Sequence, residues 1–211
     1  MAGAPGRRPG IGRSLVVGLG SPDRGDDAIG PIVAGVVART VAARQLPDVV
    51  VVEREDPTSL VDLMDPNGPD GGSDTVVIID AVRSGAAAGT IAVLEAGADA
   101  PGLGASGARL DPGPAGTHGF GLAGALELAR ALDRLPPRVV IVGVEATDFA
   151  HGVPLSDAVD AAVGPAVAAV LACVLAPEPI RGLSFAACGA ISAFRSSARA
   201  GLHSRSSTGP A

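Results

Sequence analysis

Three short polar clusters interrupt the aliphatic runs of this chain, and each holds residues able to do chemistry. The first run, SLVVGL at Ser14 to Leu19, gives way to GSPDRGDD, which brings Asp23, Asp26 and Asp27. A second run, TVVII, ends on Asp80; a third, VVIVGV, is followed by Glu145 and Asp148. His118 stands just ahead of the helix-length segment GFGLAGALELARAL. Asp27, Asp80 and His118 thus offer two carboxylates and one imidazole from three separate segments. Oxygen, oxygen and nitrogen ligands with open positions left over suit a borderline divalent metal such as nickel or zinc.

For those residues to meet, the elements must deliver them to one edge. Strand, tight loop and an apolar helix from Ala28 to Ala43 open the chain as a βαβ unit would. Further strands are expected at 49–52, 75–79, 90–94 and 139–144, and helices at PTSLVDLM, at 119–132 and at 156–175, the last with a possible bend at Pro165. Continuous aliphatic strands alternating with helices predict an α/β fold, an open doubly wound sheet, mostly parallel, with helices on both faces. In such sheets ligands bind outside the carboxyl ends of the strands, where all the polar clusters fall.

Simpler roles compete for each residue. Asp26 or Asp27 could cap a helix, Asp80 could pin a loop, and His118 could be an exposed residue at a helix start. His151 and His203 are given no role. Gly18 and Gly20 form a G-x-G after the first strand, but the third glycine of a dinucleotide fingerprint would fall on Asp23, and two further acids follow that would repel a phosphate. The chain has no Lys, hence no P-loop, and no G-x-S-x-G. Cys173 lies in an apolar helix and reads as core.

Composition narrows the classes further. All 22 acids and ten of the 16 Arg lie between Arg13 and Glu178, while the two ends carry only Arg. The net charge of −6 argues against a nucleic-acid binder, and four Phe as the only aromatics leave no stacking platform. Two widely spaced cysteines, Cys173 and Cys188, fit a reducing cytoplasm rather than a disulfide framework. The start has no apolar run of a secretory signal, and the most apolar stretch, 161–176, is short for a membrane span, so no membrane insertion is expected. The expected organisation is an N-terminal tail (1–12), an α/β domain (13–179) and a basic Ser/Ala/Gly/Arg-rich tail (180–211), within which LSFAACGAISAF could form a short helix.

GLGSPDRGDDAIGP, IIDAVRSGAAAGT, THGFGLAGALELA and IVGVEATDFAHGVPLS, in that order and spacing, resemble the hydrogenase maturation proteases. These endopeptidases remove the C-terminal extension from the large subunit of nickel-iron hydrogenases. The resemblance spans roughly Ser14 to Leu175. It implies that Asp27, Asp80 and His118 contact nickel, with Asp27 and Asp80 also catalytic, and that the nickel arrives in the precursor rather than being held by the enzyme. The partner it implies is the hydrogenase large-subunit precursor. Ser21 stands where the family commonly has Asn, Asp27 where it often has Glu, and Glu55-Asp56-Pro57-Thr58 where some members carry a Gly-Gly-Thr turn. The same ligands would serve a non-catalytic, metal-dependent maturation escort, and a small-molecule-binding α/β enzyme is a further alternative.

Overall fold

The computed structural model describes residues 12–68, 72–98, 121–175 and 184–185. In chain order its elements are β1 (Ser14–Leu19), a 3-10 turn (Gly25–Ala28) running into α1 (Ile29–Ala43), β2 (Val49–Arg54), α2 (Ser59–Leu63), β3 (Thr75–Val82), β4 (Ile91–Glu95), α3 (Leu122–Ala131), β5 (Arg138–Glu145), α4 (Asp157–Leu175) and β6 (Ser184–Phe185). The strands form one sheet in the order β2-β1-β3-β5-β4-β6. β2, β1, β3 and β5 are parallel, whereas β4 runs antiparallel to both β5 and β6. The expected open, mostly parallel sheet is present.

Alternation along the strands sends side chains to two cores. Val16, Val77, Ile79, Val140 and Val142 pack under α1 and α4, against Ile29, Val33, Val37 and Val170. Leu15, Val17, Val76, Ile78 and Ile141 face the other way, against Leu60 and Met64 near α2 and Leu126 of α3. Helices therefore cover both faces, and the central strands are apolar on both because neither face meets water.

One contact sets how closely α1 lies on the sheet. A Cβ on Gly30 would strike the Leu19 carbonyl and come within 2.8 Å of the Ile79 carbonyl, and one on Gly18 would lie 2.5 Å from the Gly30 carbonyl and 2.6 Å from the Ala34 Cβ. Glycine at both positions lets the helix start directly over the ends of β1 and β3.

Three features depart from expectation. β3 continues through Val82, so Asp80 is a strand residue rather than the first residue after the strand. Helix α4 runs unbroken for 19 residues with Pro165 inside it, long and apolar enough by length and composition to cross a membrane. It nonetheless packs as a core helix, with Val159, Ala162, Ala166, Ala169, Val170, Cys173 and Val174 buried. Finally, Ser184 and Phe185 pair with Ala92 and Ile91. The sheet thus reaches past residue 179 into the segment expected to be a tail.

Candidate active site

The strand order reverses between β1 and β3: from β1 the chain passes to β2 on one side, then to β3 on the other. At such a switch point the two connections leave in opposite directions and open a crevice at the carboxyl edge. Asp27 and Asp80 flank it.

Asp27 is held by a tight return of the chain. Gly20 adopts a φ of +128°, and a Cβ there would collide with the Asp27 carbonyl. The turn brings the Asp27 carboxylate back to the Ser21 N–H, which donates to Oδ2 at 2.9 Å. The G-x-G at the end of β1 has a packing reason of its own: Gly18 admits α1 and Gly20 admits Asp27.

Asp80 sits where the ladders end unequally. β1 pairs with β3 only as far as Ile79, opposite Gly18, whereas β3 pairs on with β5, Asp80 opposite Gly143. The side chain therefore stands at the step left by the end of β1, partly buried. Burial first, and then the negative charge of Asp27, push its carboxyl up to about 8, against a smaller opposing contribution from the Ala81 N–H. Asp80 therefore holds its proton to a higher pH than an ordinary carboxyl does. Two carboxyl groups made unequal by their surroundings are the usual way a protein places acid and base side by side.

Two further carboxylates organise the loops around this pair. Asp26 is fully buried. It does not cap the helix that follows, and neither the 3-10 turn nor α1 has a side-chain cap. Instead Oδ2 accepts the N–H groups of Thr147 and Asp148, both at 3.0 Å, and Oδ1 accepts that of Ser156 at 2.8 Å. Burial opposes ionisation of Asp26, but the hydrogen bonds from Asp148, Thr147 and Ser156 outweigh it and hold the carboxyl below its ordinary value. Glu145, only 4% exposed, accepts the N–H groups of Ser84 and Gly85 and the Ser84 hydroxyl, the last at 2.7 Å. It fastens the connector that leaves β3 just beyond Asp80.

The guanidinium of Arg83 lies 4.3 Å from the centre of the Phe149 ring and donates to the Thr147 carbonyl at 3.3 Å. The β3–β4 and β5–α4 connectors are thereby joined at the rim. Neither Arg83 nor Phe149 stands out in the sequence, because the pairing depends on two loops meeting.

The third expected ligand, His118, lies outside the described residues, as does Cys188. What is described is the start of α3, whose Leu122 packs in the core on the Val76 and Ile78 side of β3, the side to which alternation also assigns Asp80. Among the described residues no group of three His, Cys, Asp or Glu is placed to hold a metal ion. Asp23, Asp148 and His151 are exposed at the rim. Cys173 is buried, with its thiol pushed up to about 11 mainly by that burial. It is a core residue, as expected.

Comparison with known proteins follows the same lines. The family model described as hydrogenase maturation protease matches residues 56–173, more than half of the chain. The chain belongs to the hydrogenase maturation protease family. The matched residues take in Asp80 and His118, while Asp27 lies ahead of them. The hydrogenase maturating endopeptidase HybD from E. coli is 27% identical, with a TM-score of 0.55 over 76% of this chain and 90% of its own. Two further solved structures share the fold. An endopeptidase from Escherichia coli is 24% identical, with a TM-score of 0.60 over 77% of this chain and 91% of its own. The [NiFe] hydrogenase maturation protease HycI from Thermococcus kodakarensis KOD1 is 21% identical, with a TM-score of 0.57 over 79% and 94%. Among curated proteins no sequence matches significantly. As a member of the hydrogenase maturation proteases, the chain is a peptidase.

Proposed function

We propose that this protein is the cytoplasmic endopeptidase that removes the C-terminal extension of a hydrogenase large-subunit precursor already loaded with nickel. The observation that carries this reading is the placement of Asp27 and Asp80 together at the switch point of the sheet, near enough that the charge of Asp27 adds to the burial that favours a proton on Asp80. Two carboxylates crowded together repel, and the cost is met by keeping a proton on Asp80. A divalent cation presented by the precursor removes that cost: its charge attracts both carboxylates and releases the proton of Asp80. Asp27 and Asp80, joined by His118, read the nickel in this way, and a precursor lacking it leaves the site closed by its own proton.

Docking of the precursor's nickel places the scissile peptide against the carboxylates, so positioning supplies much of the rate. Asp27 accepts the proton of the attacking water as the water oxygen bonds to the scissile carbonyl carbon, and that proton passes to the departing amine as the C–N bond breaks. The test is incubation of the purified full chain with nickel-loaded and with nickel-free precursor, followed by intact-mass measurement. Loss of the extension from the loaded precursor alone, and no loss with Asp27→Asn or Asp80→Asn, is the expected result. Binding without any change in precursor mass would make the protein an escort, and equal cleavage of nickel-free precursor would remove the metal-reading role.

A further inference from the structure

Asp26 directly precedes Asp27, yet the proposed peptide hydrolysis makes no use of it. Its surroundings are unlike those of an ordinary buried acid. The first loop and the β5–α4 connector are separate in sequence by more than 120 positions. Among the described residues at least five hydrogen bonds join them, four of which involve Asp26. Three N–H groups of the connector converge on its carboxylate, and its own N–H donates to the Asp148 carbonyl at 2.8 Å. The fifth runs from the Gly152 N–H to the Asp23 carbonyl, also 2.8 Å.

The backbone is fitted to this junction. Gly25, with a φ of +54°, lies so close that a Cβ there would be 2.7 Å from the Asp148 carbonyl. Thr147 is held from both sides, its N–H on Asp26 and its carbonyl on Arg83. The Ser156 N–H precedes the first residue of α4, so the carboxylate also lies at the positive end of a 19-residue helix. Asp27, the next residue along, is free of these bonds. Its carboxylate turns instead to the Ser21 N–H at 2.9 Å.

We infer that Asp26 is a positioning residue: by clamping the β5–α4 connector to the first loop, its carboxylate fixes where Asp27 stands relative to Asp80. The inference rests on the proposed endopeptidase reading for its effect on rate, but its geometric part is measured without substrate. Asp26 touches no reacting atom. It acts through the turn it anchors, and the Ser21 amide reports where Asp27 is.

The test uses the full chain. In the wild type, native-state hydrogen exchange should show the amides of Ser21, Thr147, Asp148 and Ser156 opening together, with the same dependence on denaturant. Independent opening of Ser21 while the other three stay protected would overturn the inference, with no variant needed. Asp26→Asn keeps the size of the side chain but sets an amide donor against N–H donors. At a temperature where it is folded, its Ser21 amide should lose protection and kcat/KM for nickel-loaded precursor should fall on the order of 10- to 100-fold, the scale of a small misplacement of a reacting group. Asp26→Ser, which leaves a small acceptor, serves the same purpose should the Asn variant not fold. A folded variant with wild-type Ser21 protection and kcat/KM within twofold of wild type would refute the positioning role. Failure of the wild type to cleave any precursor would count against the endopeptidase reading alone, since the exchange result stands by itself.

Discussion

Asp80→Asn should make the protein more stable at alkaline pH while abolishing processing. A carboxyl pushed from 3.8 to about 8 binds a proton in the folded chain that the unfolded chain has already released. Between those two values the native state holds more protons, so this group's effect is to lower stability as pH rises, from no cost near pH 4 to its full cost above pH 8. Each pH unit in that window is worth about 1.4 kcal/mol, which bounds the full cost at roughly 5 to 6 kcal/mol. Asparagine matches the protonated acid in shape and hydrogen bonding and cannot ionise. The variant should therefore differ least from wild type at the acid end of the range, gain on it progressively up to pH 8, then hold level. For a chain of this size a gain of about 3 kcal/mol would raise Tm by roughly 6 to 12 °C. Parallel thermal or urea melts of the two proteins between pH 4.5 and 8.5 give the difference directly, and all other titrating groups cancel. Curves that stay parallel across the window would refute the assignment of a raised carboxyl at Asp80.

Further outcomes follow from the same geometry. Asp27→Asn removes the charge that helps hold the Asp80 proton, so processing should be lost and the pH dependence of stability should shift toward lower pH in melts. Processing by wild type should rise between pH 6 and 8, because nickel displaces the Asp80 proton more readily as pH rises; initial rates on loaded precursor across that range check this. Glu145→Gln sets an amide against the Ser84 and Gly85 N–H groups and should cost about 2 kcal/mol, read from urea melts. Native Cys173 should resist a thiol reagent that modifies it after unfolding, measured in a Cys188→Ser background.

Much of the frame was legible in the sequence because burial on both faces leaves a plain signature. TVVII and VVIVGV could be little else than central strands, and they lie side by side as β3 and β5. Helix α1 was equally plain. What periodicity does not carry is strand order and direction, which depend on long-range packing. The reversal of β4, and the two-residue β6 that covers it, had no signal in their own residues. β6 is too short to show alternation, and it lies in text that reads as a tail. β3 runs beyond its expected end for a related reason. Asp80 looks like a stop signal, but its backbone continues to pair with Gly143, because β5 extends beyond β1 on that side.

The acids of the first loop show where local reasoning ends. Asp26 and Asp27 are adjacent, identical in type and equally placed to cap the helix they precede, so sequence alone gives them one role. The fold gives them different ones. A 3-10 turn sends successive side chains in different directions; one meets three N–H groups from the β5–α4 connector, and the other faces a crevice containing Asp80. Ionisation is favoured at Asp26 because converging donors replace water, and it is opposed at Asp80 by burial and by the charge of Asp27. The distinction is set by residues more than 50 positions away in either case. A buried acid held by three N–H groups and an adjacent acid that faces Asp80 form a sensible division of labour: the first holds the loop still, and the second is, in the proposed function, left available for a cation brought by the precursor.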